Sequence, residues 1–225
     1  MFAGFLILLF IPFVISGDLY SWYINFNSGH GFIMAFLKFA ILASSGELLG
    51  LRIRTGNYFV KGFGIFPRII VWGFLGITIK AAFVIFLAGV PPMLEYLGLQ
   101  GPIEILAASF SVQKLLIAFS ISLFLNLFFS PVLMTLHKIS DTHIQNYHGR
   151  AVALISRPDI GFILKETDWN MHWGFVLKKT IPLFWIPAHT LTFLLPHEFQ
   201  ILFAALLGIV LGVILAFASV KSTDK

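Results

Sequence analysis

Residues 65–90 read IFPRIIVWGFLGITIKAAFVIFLAGV, an apolar run that carries only two charges, Arg68 and Lys80. A helix rises about 1.5 Å per residue, so about 20 residues cross a hydrocarbon layer of roughly 30 Å, and this stretch crosses with residues to spare. Its apolar residues are continuous rather than alternating, which excludes a half-buried strand. The same test applied outward along the chain selects five further stretches, at approximately 2–22, 31–51, 114–136, 174–195 and 198–220. The expected fold is therefore all-α: one polytopic integral membrane domain of about six transmembrane helices over residues 1–225.

Composition supports the same class. Hydrophobic residues make up 58% of the 225, charged residues 11%, and mean hydropathy is +0.92, more apolar surface than a soluble core can hide. The net charge of +5 sits in scattered basic residues rather than a basic stripe, so nucleic acid is not an expected partner and the lipid bilayer is. Cysteine is absent, which removes thiolate nucleophiles, disulfides and Cys-type metal sites. No cofactor is expected.

Loop charges give an orientation, because Lys and Arg collect on the inner side of short loops. Segments 17–30, 88–102 and 194–200 contain neither residue. Segment 52–68 has Arg52, Arg54, Lys61 and Arg68; segment 137–173 has Lys138, Arg150, Arg157 and Lys165; the tail has Lys221 and Lys225. Six spans with N and C termini inside place every basic loop on one side. The first span is the least ideal, since it contains Gly17 and Asp18; a signal peptide over residues 1–16 competes with it, but no Lys or Arg precedes the apolar run. Residues 103–113 are expected as an amphipathic helix on the outer face, and 137–173 as an inner loop too short for a separate domain.

Two stretches carry a packing pattern. Ala204, Gly208, Gly212 and Ala216 recur every fourth residue, and Gly46 and Gly50 repeat the spacing, which brings neighbouring backbones close. Packing within the chain is the first expectation and a homo-oligomer interface the second.

Functional candidates are the ionisable and polar groups inside spans, because each costs about 2.5–3.5 kcal/mol at a helix centre. Lys38, Lys80 and Lys114 all fall in outer halves. Facing inward together they would form a positive constriction that admits small anionic solutes. Glu47, on the inner side of the midplane, is expected on the same path and to hold Arg52 or Arg54. Asn126 at mid-span and His189, beside a kink at Pro187, complete the expected solute path. His137, Asp141, His143 and His148 make a poorly spaced metal set, so no metal is expected there. A channel or transporter is the first reading; an integral membrane enzyme with a His-lined site, or a structural or assembly subunit, are the alternatives.

FWIPAHTLTFLLPHEFQILFAALLG, residues 184–208, resembles the signature of the Mpv-seventeen and peroxisomal twenty-two-kilodalton membrane protein family, approximately W-P-x-x-Q-x-x-N-F-x-x-V-P-x-x-x-R. Trp185, Pro187, Phe193, Pro196 and Gln200 occupy its Trp, Pro, Phe, Pro and Arg places. Trp185 and Pro187 are separated by one residue where the family has adjacency, His189 stands for Gln and Thr192 for Asn. Upstream, Gly46-Glu47 is similar to the family's Gly-Asp, and Asn126 with Pro131 to its Gln-x4-Pro, with Leu125 in place of the preceding Asp. The resemblance implies a small helical protein of organellar inner or peroxisomal membranes that acts as a pore for small solutes, usually with four spans. The lack of an Arg-rich presequence makes a bacterial plasma membrane the simplest location and an organellar inner membrane the alternative.

Overall fold

The computed structural model describes residues 2–223. Lys225 lies outside the described residues, as does the side chain of Lys221. Every regular element among the described residues is helical: α1 (Phe2–Ile15), α2 (Gly17–Gly29), α3 (Gly31–Thr55), α4 (Ile65–Tyr96), α5 (Pro102–Ala107), α6 (Val112–Phe128), α7 (Ser130–Asn146), a 3₁₀ turn (Ala151–Leu154), α8 (Ile160–Glu166), α9 (Trp169–Met171), a π-helix (His172–Trp185), α10 (Ile186–Leu194) and α11 (His197–Thr223). Three of them, α3, α4 and α11, are long and apolar enough to cross a membrane; counting each bent pair, α1 with α2 and α6 with α7, as one span raises the number to five. Their outward faces carry bare apolar side chains such as Phe32 and Ile41 on α3 and Phe74 on α4, as lipid contact requires.

The span expected over 2–22 is instead two helices bent by 99°. Ser16 adopts an extended backbone and its hydroxyl accepts from the Leu19 amide, so it caps a new helix rather than continuing the old one. α1 is apolar all round, whereas α2 is rich in Tyr, Trp and Asn, the composition of an interfacial segment. The span expected over 114–136 breaks at Phe129 by 45°, where Pro131 lacks an amide for the helical ladder. α4 runs on through Pro91 and Pro92 to Tyr96 rather than ending at 90. The outer segment 103–113 is not one helix: α5 ends at Ala107, Ala108 turns extended, and Ser111 already caps α6, which takes 112 and 113.

The largest local departure is at 174–195, expected as an α-helix kinked at Pro187. Residues His172–Trp185 wind as a π-helix, and Pro187 falls in the first turn of the α-helix that follows. A proline ring clashes with the carbonyl four residues back, and a wider turn relieves that clash at Pro182 and Pro187 without ending the helix. The junction is explicit: the Ile186 amide donates to the Ile181 carbonyl, five residues back.

Small residues let α3 and α11 approach closely. A Cβ on Gly46 would lie 2.8 Å from the Ile209 Cα, one on Gly212 3.1 Å from the Gly46 carbonyl, and one on Gly50 3.4 Å from the Gly212 carbonyl and 3.8 Å from the Ala216 Cβ. Gly208 faces Ala43, and Ala204 is buried in the same seam. This stripe therefore packs α3 against α11 inside the chain. At the end of the bundle that carries segments 52–68 and 137–173, Gly64 and Gly149 bring the two loops into backbone contact: both have φ +72°, and a Cβ on Gly64 would meet the Gly149 Cα at 2.6 Å. We call this the basic-loop end.

Candidate functional site

A cavity of about 450 Å³ occupies the bundle interior between α3, α4, α6, α7, α11 and the π-helix–α10 run. Its exposed rim, at Arg54, Lys138 and Gln145, lies at the basic-loop end. Its deep end reaches Phe83, Trp185 and His189. Most of the wall between is apolar: Phe39, Ile79, Leu125, Leu133 and Val176 contribute side chains, and Gly46, Gly208 and Gly212 contribute bare backbone.

An ion-pair hub stands at the mouth. Arg68, 4% exposed, donates from Nη1 to Glu47 Oε2 at 2.7 Å and to Asp141 Oδ1 at 2.6 Å, and from Nε to the Phe63 carbonyl at 2.9 Å. Its guanidinium also lies over the Phe63 ring, 4.4 Å from the centroid. The Trp72 indole donates to Glu47 Oε1 at 2.9 Å, and His137 Nε2 is 3.0 Å from the same oxygen. One cation thus joins α3, α4 and α7. The expectation that Glu47 holds Arg52 or Arg54 is corrected: its partner is Arg68, because one turn past the αL glycine at 64 the α4 backbone aims that side chain into the bundle.

Glu47, His137 and Asp141 each present a donor atom within 4.8 Å of the others, a spacing that fits a metal ion. Arg68 already supplies the cation to both carboxylates, so a metal would have to displace it; the geometry favours an ion-pair hub. The other two histidines of the sequence set lie apart: His143 Nε2 is 3.1 Å from the Ala153 carbonyl, and His148 sits in a turn at φ 51°.

Deep in the bundle, His189 Nδ1 is 3.1 Å from Asn126 Nδ2 and 3.2 Å from Asn126 Oδ1. Asn126, fully buried, also donates to the Ser122 carbonyl at 2.8 Å and accepts from Ser130 Oγ at 2.8 Å. Satisfying buried polar atoms in this way is the condition for keeping them in a membrane interior. His189 is on the cavity wall and Asn126 stands behind it. The Trp185 ring stacks on His189 with centroids 5.0 Å apart, yet its Nε1–H is buried with no hydrogen-bond partner. Replacing Trp185 with Phe removes that unpaired donor along with some packing, so stability should change by less than about 1 kcal/mol. Trp72→Phe, which strips a bond from a carboxylate, should cost about 2 kcal/mol. Thermal unfolding of the two purified variants side by side checks the contrast.

The three lysines are not on the cavity wall. Lys38 is buried toward the opposite end, donating to Asn27 Oδ1 at 2.6 Å over the Tyr23 ring. Lys80 Nζ is 3.4 Å from His197 Nε2 at that same end, where Asn27 Nδ2 also reaches the Glu198 carbonyl at 3.4 Å. Lys114 donates to the Ala108 carbonyl at 2.7 Å, beside α5. Of the expected solute path, the cavity therefore brings together Glu47 and His189, with Asn126 as support. Arg68, Trp72, Asp141 and Trp185 were not singled out from sequence as path residues; Arg68 was legible only as a loop charge, although 65–90 already placed it inside a span.

Comparison with known protein families, curated proteins and solved structures gives no match to this chain.

Proposed function

We propose that the chain is a membrane transport protein, a carrier or gated channel for small anionic solutes, whose site is the cavity entered from the basic-loop end. The observation that carries this reading is the cavity itself, with free cations at its rim. Arg54 and Lys138 are exposed there and pair with no carboxylate among the described residues, while Glu47 and Asp141 are held by Arg68. An unpaired basic rim concentrates anions. Beyond the deep end, Phe83 and Phe193 close the bundle with ring centroids 4.9 Å apart, which favours an occluded carrier over a permanently open pore.

The orientation proposed with it has both termini inside and six crossings: α1, whose 14 residues reach about 21 Å and need a locally thinned bilayer, α3, α4, bent α6–α7, the π-helix–α10 run, and α11. The loop charges support that arrangement, in a plasma membrane or an organellar inner membrane. The family resemblance, carried by Trp185, Pro187 and the residues after them, points to the same class of function.

In proteoliposomes, uptake of small carboxylates or phosphates should fall at least tenfold in Arg54→Gln/Lys138→Gln, with the Lys114→Gln variant unchanged. Equal flux in all three proteins would remove the anion reading. The second reading, a membrane enzyme, is favoured by the Glu47–His137–Asp141 donor group alone; stoichiometric bound metal that disappears in His137→Ala would promote it.

A further inference from the structure

The shape and lining of the cavity say more about the occupant than its rim charge does. Along α4 its lining runs from Arg68 to Phe83, fifteen residues or about 22 Å of helix, so a volume of about 450 Å³ is drawn out into a long slot rather than a round pocket. An extended hydrocarbon chain fits along it lengthwise. Its walls beyond the mouth are mostly Phe, Ile, Leu, Val and glycine backbone, with neutral polar groups at Ser130, His172, Thr180 and His189, and no Lys, Arg, Asp or Glu lines it there. A small anion that moved past the mouth would exchange its water for those few neutral groups alone, and burying a charge without a counter-charge is costly. An alkyl chain gains from the same surroundings.

The mouth supplies the complement. Three cations, Arg54, Arg68 and Lys138, stand against two carboxylates, Glu47 and Asp141, and both carboxylates already contact Arg68. The cations left over, Arg54 and Lys138, stand on two different helices of the rim, α3 and α7. One acidic headgroup between them balances the site.

We propose that the cavity binds a single-chain anionic amphiphile, with its chain in the slot along α4 and its carboxylate or phosphate head between Arg54 and Lys138. This rests on the cavity being the solute site and names the solute class.

The test is quenching of Trp185 by 12-bromododecanoate in lipid nanodiscs, read as the difference between wild type and Trp185→Phe so that the bilayer-facing tryptophans cancel. The expected result is saturable quenching that 12-bromododecanol reproduces at least tenfold more weakly. Unlabelled dodecanoate or dodecyl phosphate should compete and succinate should not; the ratio of the first two tells a fatty-acid head from a lipid phosphate. Arg54→Gln/Lys138→Gln, at two exposed positions that leave the fold intact, should abolish the preference for acid over alcohol. Val176→Trp, which fills the slot, should abolish quenching. Quenching that rises linearly with bulk partition, or is equal for acid and alcohol, overturns the proposal, as does displacement by succinate. Saturable quenching without flux of any solute would remove the carrier reading and uphold this one. Flux of succinate without quenching would do the reverse.

Discussion

Replacing Arg68 with Met is expected to cost the folded protein about 3 kcal/mol or more, and to lower its yield from membranes sharply. Removing one member of a buried ion pair leaves the other charge uncompensated, at about 3–5 kcal/mol. Here one guanidinium serves two carboxylates. Without it Glu47 and Asp141 face each other across the cavity mouth, 17% and 22% exposed, with the His137 imidazole as the other basic group beside them among the described residues. Partial exposure of the acids places the expected cost toward the lower end of that range. The triple change Arg68→Met/Glu47→Gln/Asp141→Asn removes the charges together and should recover most of the loss, as buried ion pairs often can be replaced without penalty. Thermal unfolding in detergent, followed by loss of monodisperse protein on size exclusion, measures both. An Arg68→Met protein within about 1 kcal/mol of wild type would show that the hub does not hold the three helices together.

The second large effect is expected at Gly46. A Cβ there would stand 2.8 Å from the Ile209 Cα and 3.3 Å from the Gly208 carbonyl. Both are backbone, so no rotamer change relieves the overlap and α3 must move away from α11. Gly46→Leu should therefore cost about 3 kcal/mol, the upper end for overpacking, and because Gly46 is also on the cavity wall it should narrow the cavity as well. Gly4→Leu has nothing within 4 Å of the new Cβ and is the matched control, expected to unfold like wild type. A melting temperature for Gly46→Leu equal to that of Gly4→Leu would mean the two helices do not meet where the geometry places them.

Span length and small-residue spacing are properties of a contiguous stretch, and that is why they were legible in the sequence. Residues 65–90 are long and apolar enough to require a membrane wherever they pack. The four-residue repeat of Ala204, Gly208, Gly212 and Ala216 falls on one helix face in any fold that keeps α11 helical. What the sequence could not carry is direction. Lys38, Lys80 and Lys114 all fall in the outer halves of their spans, yet in the structure each turns to a different local partner, because a lysine stem is long enough to reach Asn27, His197 or the Ala108 carbonyl from many rotations of its helix. Glu47 meets Arg68 only because the turn at Gly64 folds α4 back on α3, a tertiary fact that no local spacing encodes. The π-helix is similar. Its cause, Pro182 and Pro187 five residues apart, is visible in the sequence; that the chain answers by widening rather than kinking depends on the α6, α7 and α10 surfaces it packs against.

The bend at Ser16 was signalled by Gly17 and Asp18. Apolar content over 2–22 outweighed it, since hydropathy counts residues without regard to caps. The same weakness let Arg68 be read as a loop charge while it lay inside an apolar span.

The interior cavity opens at the end where segments 52–68 and 137–173 meet. The protein contains no cysteine, so single cysteines can be placed without removing any. Met134→Cys and Thr180→Cys are on the cavity wall, Gln145→Cys at its rim, Asn27→Cys at the opposite end, and Leu183→Cys on the bare outer face of the π-helix. With a charged, membrane-impermeant thiol reagent applied to sealed vesicles of either orientation, Met134→Cys and Thr180→Cys should react only from the side that labels Gln145→Cys, and Leu183→Cys should stay unmodified. Reaction of the wall cysteines from the side that labels Asn27→Cys, or no reaction while Gln145→Cys is labelled, would contradict an opening at that end.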